Sequence, residues 1–205
     1  MTTSVSKLMI ESGQKARAAS RRMAAASTAD KNKALLRLAE LLEAKKEDIF
    51  AANEQDLVRA KKNGLKESFV DRLRVTEKVL RLMAEGARQT AALPDPVGEI
   101  SEMRRRPSGI QVGRMRVPLG VLGIIYESRP NVTVDAACLA VKSGNACILR
   151  GGSEAFETNR ILGELVQQAL TETGLPTEAV QIAPTTDRDF VGEMIRANKY
   201  VDVII

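Results

Sequence analysis

The sequence predicts an α/β fold in which a helical first half leads into a parallel sheet, and three observations carry that prediction. After Gly120, short apolar runs alternate with longer amphipathic ones in a strand–helix–strand rhythm. These apolar runs are nearly continuous and too short for helices, as in strands buried on both faces. Before Pro94 the periodicity is helical instead.

The helices come first. Leu35, Leu38, Ala39 and Leu42 recur at i, i+3, i+4 and i+7 and form one apolar stripe. Ser27, with Asp30 three residues on, resembles a capping box for that helix. Further helices run through EDIFAANEQDLVRAKKN, stopped by Gly64, and TEKVLRLMAEGARQTAAL, stopped by the PDP from Pro94 to Pro96. The Lys and Glu crowding their outward faces read as a solvated surface.

From Pro96 the character changes. VGEISEMRRRPSGIQVGRMRVPLG sets short extended runs on either side of Pro107, Ser108 and Gly109, which predicts a hairpin arm. Its run from Arg104 to Arg106 fits a charged edge strand or a subunit contact better than a nucleic-acid patch, because no aromatics are interleaved. The last part then alternates. GVLGIIYE is a first strand and NVTVDAACLAVKSG a helix with a glycine stop at Gly144. ACILRGG is a second strand, and SEAFETNRILGELVQQALTETG a helix with Leu162, Leu165, Val166 and Ala169 on one face. AVQIAP, TDRDFVGEMIRANK and VDVII follow as strand, helix and strand.

Composition narrows the chemistry. The chain has 205 residues, 44% hydrophobic and 28% charged, enough for one large or two small folded units with a real core. A net charge of +5 is too modest to choose between nucleic acid and anionic metabolites, and 3% aromatics without tryptophan argue against base-stacking platforms. No apolar run approaches the roughly 20 residues that span a bilayer, and MTTSVSKLMIESGQKARAAS lacks the apolar core of a secretory signal. A cytoplasmic protein is expected. Zero histidines exclude Ser-His-Asp and Cys-His machinery and histidine-containing zinc sites. Two cysteines, Cys138 and Cys147, make neither a disulfide framework nor a zinc site, so no metal is expected. Their apolar neighbours mark both as inert buried thiols.

Ligands of an open parallel sheet bind beyond the carboxyl ends of its strands, near helix N-termini. Two loops qualify here. YESRPNV carries Arg129 and Asn131, and Asn131 is either an N-cap or an amide presented to an oxyanion. ILRGGSEA puts Arg150, Gly151, Gly152, Ser153 and Glu154 between a strand and a helix. Taken alone it reads as a connector ahead of a phosphate cradle. Neither G-x-x-x-x-G-K-[ST] nor G-x-G-x-x-G after the first strand is present, which argues against a Walker NTPase or a standard Rossmann dehydrogenase.

At these loops a resemblance emerges. RVPLGVLGIIYESRPNVTVDAACLAVKSGNACILRGGSEA, with ANEQDLVRAKKNGL, FVDRL, DPVGE and NKYVDVII elsewhere, resembles the γ-glutamyl phosphate reductases, also called glutamate-5-semialdehyde dehydrogenases, of the aldehyde dehydrogenase superfamily. The likeness runs over nearly the whole chain. It implies a Rossmann-like cofactor-binding domain of aldehyde dehydrogenase type, with residues 1–96 as its helical part, 97–118 as a β-hairpin oligomerisation arm and 119–205 as its βαβ core. It further implies NADPH-dependent reduction of L-glutamyl 5-phosphate to L-glutamate 5-semialdehyde in proline biosynthesis, through a cysteine thiolate that displaces phosphate.

By position, Asn131 matches the superfamily asparagine whose amide holds the oxyanion. Arg150 stands where relatives often carry the lysine of a K-P-S-E motif, Ser153 and Glu154 match its S-E, and Gly151 with Gly152 replace its proline. The resemblance therefore places these five residues around the adenosine ribose, with Arg150 offering a bidentate fork to the 2′-phosphate of NADP. Arg129 is expected at the acyl phosphate. The family's nucleophilic cysteine lies in a later catalytic domain, so the chain is expected to be an N-terminal half that is inactive alone. A homo-oligomer through the arm and glutamate 5-kinase, the source of the acyl phosphate, are the expected partners, without nucleic acid or membrane. A stand-alone nucleotide-binding module without catalysis is the alternative.

Overall fold

The computed structural model describes residues 4–205. Five helices come first, α1 (Val5–Ala24), α2 (Thr28–Ala44), α3 (Lys46–Lys62), α4 (Glu67–Leu73) and α5 (Glu77–Ala92). The hydroxyl of Ser27 accepts from the Asp30 amide at 3.1 Å and donates to its carboxylate at 2.7 Å, so the box at the head of α2 closes side chain to side chain. The stripe Leu35, Leu38, Ala39 and Leu42 is buried as its spacing predicts. Neither α1 nor α4 stands out as an element in the sequence. The inner face of α1 is made of small residues, Ser12, Gly13, Ala16, Ala19 and Ser20 between Met9 and Met23, which mutes the apolar periodicity. At Gly13 an added Cβ would fall 2.6 Å from Tyr200, so a small residue is what lets α1 approach. In α4, seven residues are too few for a period to show.

A two-stranded antiparallel hairpin follows, β1 (Ile100–Arg105) and β2 (Gln111–Met115). Gly109 supplies the positive φ of +90° that its turn requires. A bulge between Ser101 and Arg104 leaves Glu102 at φ 55°, and every residue of both strands is exposed.

The parallel sheet has the order β5-β4-β3-β6, with β3 (Val121–Ile125), β4 (Ala146–Arg150), β5 (Val180–Ile182) and β6 (Val203–Ile204). The chain steps from β3 through α6 (Pro130–Lys142) to β4, then through α7 (Phe156–Glu172) to β5. After α8 (Asp189–Arg196) it returns to the far side of β3, so the strand order reverses between β3 and β6. Helices α6 and α7 cover one face and carry α2, α3 and α5 behind them, while α1 and α8 cover the other. The predicted face of α7, Leu162, Leu165, Val166 and Ala169, lies in the core. Its start differs from expectation. Ser153 to Ala155 make a short 3₁₀ turn and α7 begins at Phe156, because its first amides are capped from another helix.

That cap is Asp56 of α3, fully buried. It accepts from the amides of Glu157 at 3.3 Å and Thr158 at 2.8 Å, and from the Thr158 hydroxyl at 2.7 Å. Burial pushes its carboxyl above the ordinary range, against the pull of these donors. One turn earlier, Asn53 donates to the Leu73 carbonyl at 2.8 Å and accepts from the Val75 amide at 2.9 Å, clamping the α4–α5 link. A second joint lies where α2, α5 and α6 meet. Lys31, 1% exposed, pairs with Asp95 at 2.6 Å, and Lys142 donates to Asn32 at 2.6 Å and to the Ala91 carbonyl at 2.8 Å. Asp95 also accepts from the Val97 amide at 3.0 Å, which anchors the root of the hairpin.

Candidate functional site

A reversal of strand order opens a crevice at the carboxyl ends of the flanking strands, where the loops diverge to opposite faces. Here that point is the end of β3, and the residues that emerge are Tyr126 to Asn131. The loop is rooted from below. Tyr126 donates to the Thr133 hydroxyl at 2.7 Å, since Thr133 spends its own proton on Asn159 Oδ1 at 2.8 Å. Burial pushes the Tyr126 phenol up to about 12, so this pillar stays neutral.

Arg129 is the N-cap of α6 by backbone conformation and Pro130 is the first helical residue, which leaves Asn131 in the first turn rather than at the cap. The N-cap reading of Asn131 is thereby replaced. Its side chain is half-buried and its amide donates to Asp135, one turn on, at 3.2 Å. Partial desolvation raises the Asp135 carboxyl, and the Asn131 amide opposes that rise. The Arg129 side chain is exposed.

The two glycines after β4 answer to close packing. A Cβ on Gly151 would strike the Asn159 amide and come 3.0 Å from the Tyr126 ring. On Gly152 it would strike the Ser128 hydroxyl and lie 2.8 Å from the Glu154 carboxylate. These two side chains are joined, Ser128 donating to Glu154 Oε2 at 2.7 Å. Desolvation alone would raise the Glu154 carboxyl, but hydrogen bonds led by Ser128 outweigh it and hold the group below its ordinary range. It is therefore an anionic acceptor at neutral pH.

Arg150 turns away from this pair. It is 8% exposed and donates to the carbonyl of Gly151 and, at 2.9 Å, to that of Thr186 in the β5–α8 loop. Its Nε is the buried side-chain nitrogen without a partner among the described residues. The space between Arg150, Ser153 and Thr186 amounts to about 10 Å³. On the other side of the β4 loop lies a groove of about 420 Å³, formed by Leu65, Phe69 and Arg72 of the α4 region with Glu127, Ser128, Gly152 and Glu154.

The structure thus brings Gly152 and Glu154 to one groove, sends Arg150 to the next loop, leaves Ser153 exposed, and sets Asn131 with Arg129 at the switch point. Sequence reading missed Ser128, Asp135, Phe69 and Arg72. Asp135 was within reach, because i+4 on α6 puts it on the face of Asn131. Ser128 meets Glu154 only through the β3–β4 register, and Phe69 and Arg72 come from a helix too short to announce itself. Cys138 and Cys147 are buried in the core with thiols pushed up to about 12 by desolvation. Neither is a nucleophile. Among the described residues no helix is long and apolar enough to cross a membrane.

The model of the aldehyde dehydrogenase family matches residues 5–205. A γ-glutamyl phosphate reductase from Thermotoga maritima superposes with a TM-score of 0.93 at 41% identity, over 96% of this chain and 47% of its own. One from Saccharomyces cerevisiae superposes with a TM-score of 0.86 at 32% identity, over 96% of this chain and 50% of its own. An NAD-dependent benzaldehyde dehydrogenase from Corynebacterium glutamicum shares the fold, with a TM-score of 0.74 at 21% identity. The chain spans about half the length of these two reductases.

Proposed function

This chain belongs to the aldehyde dehydrogenase family, and from that premise we propose that it is the cofactor-binding part of a reductase acting on L-glutamyl 5-phosphate. The product is L-glutamate 5-semialdehyde, with phosphate released, as in proline biosynthesis. The observation that carries this reading is the likeness to a γ-glutamyl phosphate reductase at 41% identity over 96% of the chain. The crevice supports it, because Asn131 stands at the switch point with one amide proton spent on Asp135 and a second left to donate. In our proposal that second proton meets the oxygen that gains negative charge when the acyl group is attacked. Arg129, exposed beside it, faces the departing phosphate.

A nicotinamide dinucleotide, when bound, supplies the hydride. The residues present fit such a group. The groove beside Glu154 is large enough for a nucleoside portion, and the ionised Glu154 accepts from sugar hydroxyls. Gly152 leaves no side chain in the way. We assign Arg150 to the 2′-phosphate of NADPH, with the unpartnered Nε as the donor that lacks an acceptor. To serve, the guanidinium exchanges the carbonyls of Gly151 and Thr186 for phosphate oxygens. The thiolate that forms the acyl enzyme is supplied from outside this chain, since Cys138 and Cys147 are inert, and the chain alone is inactive. The exposed hairpin, with Ile100, Met103 and Met115 each more than half exposed, joins subunits.

Titration calorimetry tests the cofactor assignment. The full-length gene product is expected to bind NADPH, and Arg150→Ala to weaken NADPH about 10-fold or more while leaving NADH nearly unchanged. Equal losses for both nucleotides remove the 2′-phosphate role. Binding of neither by the wild type removes the dinucleotide reading altogether, and binding without turnover of L-glutamyl 5-phosphate favours a non-catalytic nucleotide module.

A further inference from the structure

Asp135 is the acidic residue of α6, and the assigned chemistry of Asn131 gives it no work beyond holding one amide proton. Its surroundings differ from those of the acids that hold the fold together across elements. Asp95 has Lys31, Asp202 has Arg17 and Glu43 has Arg88, whereas Asp135 has the neutral Asn131 alone and no ion pair with any described residue. It is an exposed residue of α6 whose carboxylate lies against α5, facing Gly86. A Cβ at Gly86 would lie 3.7 Å from Asp135 Oδ1. Two exposed leucines flank it at helical spacing, Leu82 one turn before Gly86 and Leu139 one turn after Asp135, at 61% and 57% exposure. An exposed carboxylate without a cation, with exposed leucines a turn away and an oxyanion donor one turn before it, suits a short aliphatic chain that carries a cation.

We infer that Asp135 binds the α-ammonium group of the substrate and so selects an amino acid over its des-amino analogue at this site. The inference rests on the proposed reaction and adds the residue that reads the far end of the substrate. The dimensions agree. The Asn131 amide nitrogen and the Asp135 carboxylate lie 3.2 Å apart, and a hydrogen bond of about 3 Å made outward from each carries their joint reach past about 5 Å. In an extended glutamyl group four bonds of about 1.5 Å part the reacting carbonyl carbon from the α-nitrogen, a span of roughly 5 Å. With the carbonyl oxygen on the free proton of Asn131, the ammonium reaches the Asp135 carboxylate and the methylenes lie against Leu82 and Leu139.

The test compares L-glutamyl 5-phosphate with glutaryl phosphate, which lacks only the amino group, using the full-length gene product. Wild type is expected to prefer the amino substrate by about 10- to 100-fold in kcat/KM, the range of a charge-assisted hydrogen bond. Asp135→Asn should bring the ratio of the two substrates close to 1, through a rise in KM for L-glutamyl 5-phosphate that glutaryl phosphate does not share. Retained turnover of glutaryl phosphate also shows that the variant folds. Equal losses on both substrates would overturn the inference and leave Asp135 a positioning residue for Asn131. An intact preference in Asp135→Asn, or no preference in wild type, would overturn it as well. Wild type that turns over neither acyl phosphate would instead overturn the functional reading, and this inference with it.

Discussion

The buried joints behind α6 and α7 and the crevice at the carboxyl edge of the sheet use the same polar residue types, Asp, Asn, Lys or Arg, and Thr or Ser. They differ in saturation. In the joints every polar group is matched: Asp56 accepts two amides and a hydroxyl, Asn53 uses both ends of its amide, and Lys31 and Asp95 neutralise each other out of water. In the crevice Asn131 keeps a spare proton, Asp135 lacks a cation and Arg129 faces solvent. Buried polar groups without partners are costly, so the first set is constrained by folding. The second set is free of that constraint and open to a ligand. Arg150 lies between the two, with two nitrogens satisfied by carbonyls and Nε with none.

This contrast can be broken by substitution. The largest effect on stability is expected for Lys31→Ala, about 3–5 kcal/mol in urea unfolding, because Asp95 is left charged without its buried partner. Wild type should also show an acid limb from this pair. Desolvation pushes the Asp95 carboxyl up, but Lys31 and the donors around it prevail and hold it below its ordinary 3.8. A folded-state value below the unfolded one contributes stability above that pH and loses it as pH falls through the folded value. Lys31→Ala should flatten this limb. A wild-type curve that stays flat down to acid unfolding would show that the pair does not carry it.

Asp56→Ala is expected next, at about 2–3 kcal/mol, from losing the cap of α7 and stranding the Thr158 hydroxyl. The loss should appear as early hydrogen exchange at the start of α7. A variant within 0.5 kcal/mol of wild type would show that water replaces the carboxylate there. Asn131→Ala sits at the other end of the scale for stability, within about 0.5 kcal/mol of wild type, while kcat in the full-length gene product falls by about 10²–10³. A destabilisation like that of Asp56→Ala would place Asn131 among the joints and erase the contrast.

Much of the architecture was legible because it follows from local patterns. The stripe on α2, the near-continuous strands β3 and β4 and the left-handed glycines at Gly64 and Gly144 each depend on neighbours within a few residues. What local pattern could not show were the elements with weak periods, α1 with its small inner face and α4 with seven residues. The start of α7 was likewise hidden, because its cap arrives from Asp56, 101 residues away from Glu157.

Local sequence carried the α/β class, the order of strands and helices after Gly120, the two loops at the carboxyl ends of β3 and β4, and the inertness of both cysteines. It left Asn131 between an N-cap and an oxyanion donor, and the helix start at Pro130 moved it into the first turn of α6. Packing of the whole fold settles which polar residues are spent and which are spare. It turned Arg150 inward to the Thr186 carbonyl, joined Ser128 to Glu154 across the β3–β4 register, and set Asp135 against Gly86 of α5 without a cation. The reason is physical. A side chain's type and helical phase are local, but its hydrogen-bond partners come from chain tens of residues away, and only the packed fold brings them within reach.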